Sequence, residues 1–272
     1  MAIGTTKLGN LEVSRFILGS NPFSGFSHQG VARDEEMMHY YTMERMKATM
    51  RQAETLGIRT FIGRTGHHVP RLLMEHRDEG GTLDWIGQSS AEHATLARSA
   101  AFAVQGGAKA CFLHGGVMDN KVKNNKTDDI AEAIASLHDA GLPAGVAGHT
   151  PRVFEWAEEH LNVDFYMCCY YNPISRDENA EHISGRPEWF SPDDRQIMVD
   201  LIQKLSKPVI HYKIMAAGRN DPKEAFAFTA RYLRPQDAVC VGIYDKENPN
   251  MLEEDVRLFE ESLSTVAGLS GS

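Results

Sequence analysis

Eight short apolar segments recur along the 272 residues, and a helical pattern separates each segment from the next. Each unit takes roughly 34 residues, which is 272 divided by eight and is enough for one strand, one helix and their connections. The segments are almost continuously apolar, which is typical of parallel strands covered on both faces. They comprise residues 15–20, 58–63, 83–88, 109–115, 143–148, 164–170, 208–213 and 237–242. The pattern predicts a (β/α)8 TIM barrel, an α/β fold, with an open doubly wound sheet as the alternative.

Helix start signals lie between the apolar segments. Thr42 precedes a helical pattern over 43–57, and Thr127 precedes another over 128–141. Three further helices are predicted where a capping residue is followed by proline, because proline at the first helical position loses no hydrogen bond. These positions are Thr150 with Pro151, Ser191 with Pro192 and Asp221 with Pro222, and the last helix is predicted over about 250–264. No linker or shift of composition divides the chain, so residues 1–272 are predicted to form a single TIM-barrel domain.

The predicted connections are asymmetric, since long segments follow the strands and short ones return from helix to strand. In a barrel the long segments lie at the carboxyl ends of the strands, where binding and catalytic sites are built. The segment 172–190, after the sixth predicted strand, is long and polar and is predicted to be a lid. The locally basic segment 115–126 could touch substrate or a partner subunit, and a solvated loop is the favoured interpretation.

Composition narrows the classes of partner. The net charge of −9 argues against a general binder of nucleic acid or anionic membranes. The chain has no run of about 18 apolar residues, so no membrane span is predicted. Residues 1–13 lack the pattern of a secretion signal. The four cysteines have no CxxC spacing and lie in apolar segments, so buried free thiols and a reducing cytoplasm are expected. The expected partner is a small-molecule substrate. The sequence leaves open whether the chain forms a homo-oligomer.

Six segments together resemble the aldo-keto reductase superfamily, in order and over nearly the whole chain. They are "KLGNLEVSRFILGSNPFSG", "ACFLHGG", "PAGVAGHTPRVFEWAEE", "DFYMCCYYNP", "PVIHYKIMAAGR" and "VGIYDKENPNMLEEDVRLFEE". The resemblance implies a barrel, an NADP cofactor bound without a Rossmann motif, and an Asp–Tyr–Lys–His catalytic tetrad. It also implies that Val209, His211 and Lys213 of the seventh predicted strand point into the barrel.

The sequence departs from that family at the positions that carry its chemistry. Arg64 stands where the second predicted strand should end near an aspartate, and His67 and His68 stand where the tyrosine is expected. Gln88 replaces the lysine, and only the histidine, His114, is kept. The cofactor-binding positions are matched by Gly148 with His149, by Lys213 and by a segment whose only basic residue is Lys246. We therefore expect a divergent barrel without hydride transfer, in which no cofactor is favoured, although NADP and a divalent metal are both left open.

Basic side chains are the candidate catalytic groups. Lys213 could be an amine of lowered pKa, a Schiff-base former or a fixed cation for an oxyanion, or it could simply pair with an acid. His114 and His149 end neighbouring strands, and with His211 they could act as acid, base and polariser. The same three histidines could hold a metal, although no motif such as HExxH is present, and His211 could instead be satisfied by internal hydrogen bonds.

Arg64 and a set of neutral and aromatic residues are the candidate substrate-binding groups. Arg64 could grip a carboxylate, a phosphate or a developing enolate, or it could form an internal ion pair with Glu92. Aromatic rings interspersed with amides suit sugars and other polyols, and loop packing or turn capping is the alternative for each residue. The candidates are Asn21, Phe23, Gln88, Tyr170, Tyr171, Asn172 and Trp189.

These features favour a non-redox enzyme of lyase, isomerase, epimerase or aldolase type. Its expected substrate is a keto-sugar or a similar polar carbonyl compound, bound at a mouth lined by histidine, lysine and arginine. Three alternatives remain: an NADP-dependent aldo-keto reductase of altered mechanism, a metal-dependent hydrolase or isomerase, and a catalytically inactive barrel used for binding.

Overall fold

A computed structural model of the chain describes residues 3–90, 92–173 and 188–270. A two-stranded antiparallel hairpin comes first, formed by β1 (Thr5–Leu8) and β2 (Leu11–Ser14). Eight parallel strands then close into a barrel, in which β10 pairs with both β9 and β3. They are β3 (Phe16–Gly19), β4 (Thr60–Arg64), β5 (Asp84–Gln88), β6 (Ala110–Leu113), β7 (Ala144–Gly148), β8 (Phe165–Cys169), β9 (Val209–Tyr212) and β10 (Ala238–Gly242). The predicted (β/α)8 barrel is confirmed, and each of its strands lies within or beside its predicted segment.

Ten α-helices lie among the described residues, along with one short 3-10 turn at Pro22–Ser24. The helices are α1 (Val31–Tyr40), α2 (Met43–Thr55), α3 (His68–Asp78), α4 (Leu96–Gln105), α5 (Gly115–Lys123), α6 (Ile130–Asp139), α7 (Pro151–His160), α8 (Pro192–Ile202), α9 (Pro222–Tyr232) and α10 (Met251–Ser270). Within 3–90, 92–173 and 188–270, no helix is both long and apolar enough to cross a membrane.

The predicted caps are observed at the start of three helices. The side chains of Thr42, Ser191 and Asp221 each accept a hydrogen bond from a backbone N–H in the first turn of the helix that follows. Thr150 precedes α7 as predicted, but its side chain makes no cap hydrogen bond. Two boundaries needed correction, because α6 begins only at Ile130 and α10 continues to Ser270 rather than ending near 264.

One helix lies where a loop was predicted. The segment 115–126, interpreted from its charge and amides as a solvated loop, forms α5 over most of its length. Its N-terminal residues Gly115, Gly116, Val117 and Met118 are buried, so apolar packing stabilises a helix despite two glycines of low helix propensity. This helix places Asp119 against the end of β7.

Two apolar layers hold the barrel together. The inner layer fills the lumen with alternate strand residues such as Ile17, Ile86 and Phe112, and Leu8 and Val13 of the hairpin close it. The outer layer packs the other strand faces against the helices. All four cysteines are buried and free, as predicted.

The facing of β9 differs from the prediction. Ile210 and Tyr212 belong to the inner layer, whereas Val209 packs in the outer layer and His211 faces outward with it. Lys213 follows the strand in a left-handed conformation with φ of +56°, so it does not continue the strand alternation. The position of Lys213 at the barrel mouth therefore does not mean that His211, two residues earlier, points into the barrel.

Residues 174–187, most of the predicted lid, lie outside the described residues. The lid over 172–190 and the single domain over 1–272 both stay predictions.

Candidate active site

A pocket opens where the barrel strands end at their carboxyl side. Its empty space, including the mouth, measures about 560 Å³. Its position matches the place where barrel enzymes build their sites. The lining residues are Asn21, Phe26, His28, Arg64, Gln88, Phe112, His114, Gly115, Ala147, His149, Met167, Tyr212 and Lys213.

His149 is fixed in the pocket wall by Asp119 of α5. The His149 Nδ1 lies 2.7 Å from Asp119 Oδ2, and the backbone N–H of His149 donates to Asp119 Oδ1 at 3.0 Å. Both side chains are buried, with 7% and 6% of their surface exposed. The carboxylate can only accept, so Nδ1 carries the proton and Nε2 presents its lone pair.

Tyr212 completes a three-residue relay with Asp119 and His149. Its hydroxyl lies 3.3 Å from His149 Nε2 and 3.4 Å from the carbonyl oxygen of Gly148. Burial raises the pKa of Tyr212 well above its usual range, and the neighbouring Cys169 and Asp119 add to that rise. Tyr212 therefore keeps its proton at neutral pH and can donate a hydrogen bond.

Gly115 makes room for this relay at the start of α5. A Cβ at this position would lie 3.1 Å from both the Tyr212 hydroxyl and the His149 Cε1. That separation is tighter than ordinary van der Waals contact, so a side chain would displace the relay. The glycine that weakens α5 as a helix is thus the residue that lets His149 and Tyr212 meet beside it.

Two residues that line the pocket have left-handed backbones although neither is glycine. Lys213 has φ of +56° and His28 has φ of +57°. Such conformations carry strain and concentrate at functional sites. The Lys213 ammonium also opposes the rise that burial imposes on the pKa of Cys169, which reaches about 11. His28 Nδ1 lies 2.9 Å from Glu188 Oε2, and both of these side chains are more than nine-tenths buried.

Arg64 forms the pocket wall at the end of β4. Its Nη2 donates to Ser90 Oγ at 3.3 Å, and its guanidinium lies 5.1 Å from the centroid of the Phe26 ring. The ion pair with Glu92 is present, but Nη1 and Oε1 are 3.6 Å apart and the Glu92 side chain is 72% exposed. A pair of this kind contributes little to stability, and Arg64 presents its guanidinium in the pocket wall.

Six predicted site residues come together in this pocket, and six do not. The residues that line it are Asn21, Arg64, Gln88, His114, His149 and Lys213. The six that lie elsewhere are Phe23, Tyr170, Tyr171, Asn172, Trp189 and His211.

His211 is a correction, because it lies outside the barrel lumen. Its ring is fully buried, with Nε2 3.3 Å from Asp237 Oδ2 and Nδ1 2.9 Å from the Tyr170 hydroxyl. Arg234 donates to the same Asp237 carboxylate at 2.8 Å. Burial lowers the pKa of His211, so it stays neutral, accepts from Tyr170 and donates to Asp237. The internal hydrogen-bonding alternative is therefore the one observed.

Four other predicted substrate-binding residues, Phe23, Tyr171, Asn172 and Trp189, also lie outside the pocket. Phe23 packs on Tyr41, with 4.7 Å between the ring centroids. The Tyr171 hydroxyl accepts from Asn220 at 2.7 Å, and the backbone N–H of Asn172 donates to Asp194 at 3.0 Å. Trp189 is 65% exposed and does not reach the pocket. The predicted substrate contacts of these residues are absent from the described pocket wall.

The three-histidine metal site is not assembled, because His211 faces away from His114 and His149. Across 3–90, 92–173 and 188–270, no three histidine, cysteine or acidic side chains are arranged to hold a metal ion.

Sequence reasoning missed Asp119, Tyr212 and His28. Asp119 was hidden in a segment interpreted as a loop, and Tyr212 lay between the two residues predicted to face inward. The available signal was the alternation of β9 itself, since Ile210 and Tyr212 share a face.

A longer groove continues from the pocket. It encloses about 1,520 Å³ including its open side, and it shares Asn21, Gln88, Tyr212 and Lys213 with the pocket. It passes the ends of β3 and β10 and reaches the first turns of α10. Most of its wall is apolar, and Arg33, Glu247 and Asp255 are charged residues within it.

Comparisons with known proteins support the fold and do not supply a family. No protein-family model matches the chain, and no curated protein matches it in sequence. A solved structure assigned as an aldo-keto reductase from Pseudomonas aeruginosa is 17% identical, with 96% of this chain and 94% of that one covered and a TM-score of 0.64.

Two other solved barrels are also similar. The N-acetylmannosamine-6-phosphate 2-epimerase from Clostridium perfringens is 12% identical, with 88% of this chain and 92% of that one covered and a TM-score of 0.54. A truncated 3-deoxy-D-arabino-heptulosonate 7-phosphate synthase from Thermotoga maritima is 12% identical, with coverages of 99% and 93% and a TM-score of 0.52. At these identities the likeness establishes the fold: the chain has an aldo-keto-reductase-like (β/α)8 barrel, as the sequence predicted.

Proposed function

We propose that the chain is a proton-transfer enzyme, a lyase or isomerase of the epimerase or aldolase type, acting on a keto-sugar or similar polar carbonyl compound. The observation that carries this proposal is the relay of Asp119, His149 and Tyr212, which ends at the pocket. Relays of this kind hold a base in one tautomer and stabilise the cation it becomes.

The relay exchanges a proton with a substrate oxygen. A substrate hydroxyl gives its proton to the Tyr212 oxygen while the Tyr212 proton moves to His149 Nε2. Asp119 then stabilises the resulting imidazolium, because it accepts from Nδ1 at 2.7 Å. The reverse transfer returns the proton to substrate oxygen later in the cycle.

Positive charge supports the carbonyl side of the reaction. Lys213 and Arg64 line the same pocket and would stabilise the oxyanion of an enolate or enediolate. His114 directly follows β6, the strand beside β7, and β7 leads to His149. We assign to His114 the transfer of the proton that is bound to the substrate carbon. Asn21 and Gln88 are left to bind substrate hydroxyls.

One further point favours carbonyl chemistry without hydride transfer, and a second supports an enzyme in general. Three of the four tetrad positions expected from the resemblance hold other residues, which argues against the mechanism of that family. The barrel fold is shared with proteins named as an epimerase and as a synthase, which supports an enzyme in general.

A reductase of altered mechanism is the second candidate, and the groove favours it because its size suits a dinucleotide. The charge at its α10 end does not fit the phosphates of NADP. The Arg33 guanidinium already pairs with Glu36 at 2.6 Å and with Glu247 at 3.2 Å. The nearby end of α10 adds Asp255, a buried carboxylate in the groove wall. We therefore favour weak or absent NADP binding.

Deuterium exchange tests the proposal without knowledge of the product. The purified protein is incubated in D2O with a panel of ketopentoses, ketohexoses and keto acids, without added nucleotide, and mass spectrometry detects deuterium on carbon. We expect incorporation into at least one panel member. NADPH-dependent reduction of a panel member without any exchange would favour the reductase instead.

A further inference from the structure

Asp255 is a buried carboxylate that the relay does not use. It lies in the second turn of α10, is only 4% exposed and lines the groove. No described residue hydrogen-bonds to it or pairs with it. Burying a carboxylate without a partner is costly, and such groups are normally paired. A buried acid that opens into a groove is therefore placed to meet a charge supplied by a ligand.

The other described charges at this end of the groove, Arg33 and Glu247, are already paired with each other. Arg33 is engaged by Glu36 and Glu247, and its guanidinium lies 4.6 Å from the centroid of the Tyr244 ring. Asp255 thus remains as the uncompensated charge near α10. The opposite end of the groove merges with the pocket, where Lys213 and Arg64 bring positive charge.

We propose that the groove binds the distal end of an extended ligand through an ammonium group that pairs with Asp255. The ligand is bipolar: its oxygen-rich carbonyl end lies at Lys213 and Arg64, an apolar or uncharged middle lies along the groove, and a cation lies at α10. This inference rests on the proposed function for the identity of the reactive end, but the pairing at Asp255 is a matter of binding alone.

The wall between the two ends suits an uncharged middle. Met37, Ile214, Met215, Val241 and Met251 line it, and methionine side chains adapt to flexible chains. An anionic ligand would be disfavoured at α10, because its charge would meet Asp255, while Arg33, the described cation at this end of the groove, already pairs with Glu36 and Glu247. The raised pKa of Asp255, about 7, agrees with a carboxyl group that lacks a counter-ion.

Three six-carbon probes of matched length test the inference: hexylamine, 1-hexanol and hexanoate. Binding to the unaltered protein is measured by calorimetry at about pH 8.5, where Asp255 is ionised and the amine is still protonated. We expect hexylamine to bind at least about tenfold more tightly than either of the other probes. Equal binding of hexanoate and hexylamine would overturn the proposal.

Two variants with the same change of charge locate the contact. Asp255→Asn should weaken hexylamine binding by at least about tenfold, whereas Glu253→Gln, an exposed residue of α10, should leave it unchanged. An equal loss in both variants would mean that the amine meets only the general acidic surface, which contradicts the proposal. Because no turnover is measured, a failure here is distinguishable from a failure of the deuterium-exchange test.

Discussion

At the scale of single residues, the chemistry depends on how Asp119, His149 and Tyr212 share two protons. The sequence predicted His149 from its place after an apolar strand. It did not predict the partners, because Asp119 lies 30 residues earlier in the chain and on a helix that was interpreted as a loop. Side-chain pairing across such distances follows from packing, which a single sequence does not display.

We expect Asp119→Asn to reduce deuterium exchange by about 10²-fold or more, since the amide cannot stabilise an imidazolium. Exchange rates over a pH series check this, because a merely structural change would not shift the apparent pKa of the profile. Asp129→Asn is the control, as Asp129 pairs with Lys121 at 2.7 Å at the other end of α5. Equal losses in the two variants would contradict a role for Asp119 in the relay.

Lys213 combines a proposed charge with backbone strain, and two substitutions separate these properties. Lys213→Met and Lys213→Gly should both lower exchange by about 10²-fold, because each removes the ammonium. Lys213→Gly should nevertheless be more stable than Lys213→Met by about 1 kcal/mol, since glycine adopts positive φ without strain. Denaturant unfolding measures this difference in stability. Full activity of either variant would show that Lys213 has only a structural role.

At the scale of elements, α5 shows how a site can depend on a helix with a poor helical sequence. Gly115→Ala would improve helix propensity, yet its Cβ would press on His149 and Tyr212 at 3.1 Å. We expect activity to fall by about tenfold or more, with a loss of stability of about 1 kcal/mol.

Gly66→Ala is the matched control, because no heavy atom lies within 4 Å of a Cβ at that position. It should change neither exchange nor the midpoint of unfolding. If Gly115→Ala behaves like this control, the relay tolerates displacement and its proposed geometry is wrong.

The strands were predictable, and the facing of one of them was not. Parallel strands buried on both faces give apolar runs, so all eight were visible in the sequence. That same burial hides which residues face the lumen, because both faces of β9 are buried. The inward assignment of His211 relied on Lys213 continuing the strand, and the left-handed turn at Lys213 removes that link.

At the scale of the whole molecule, Asp255 makes stability depend on pH. Its pKa is about 7 in the fold and about 3.9 when unfolded, so the folded state binds more protons between these values. The group therefore lowers stability progressively as pH rises through that window.

Asp255→Asn should remove this dependence. We expect its stability advantage over the unaltered protein to grow by about 2 kcal/mol between about pH 5 and pH 8. Urea unfolding at both pH values measures this, with Glu253→Gln as the exposed control. An advantage that shrinks as pH rises would show that the Asp255 carboxylate is stabilised rather than penalised in the fold.

The fold was predictable from the spacing of the apolar segments and the length of the chain. The site was only partly predictable, because it depends on contacts between distant parts of the chain. Arg64, His114 and His149 were found because they end strands, and strand ends converge in a barrel. Tyr170 and Tyr171 were misplaced because aromatic residues after a strand can equally pack under the helices. The reducing cytoplasm, the small-molecule substrate and the open question of a homo-oligomer stay predictions.

One measurement tests the central claim most directly: deuterium exchange by Tyr212→Phe compared with Tyr170→Phe. Both changes remove a tyrosine hydroxyl that contacts a histidine, at 3.3 Å in the pocket and at 2.9 Å outside the barrel. We predict that Tyr212→Phe loses exchange by about 10²-fold or more while Tyr170→Phe retains it. Undiminished exchange in Tyr212→Phe would contradict the proposed relay.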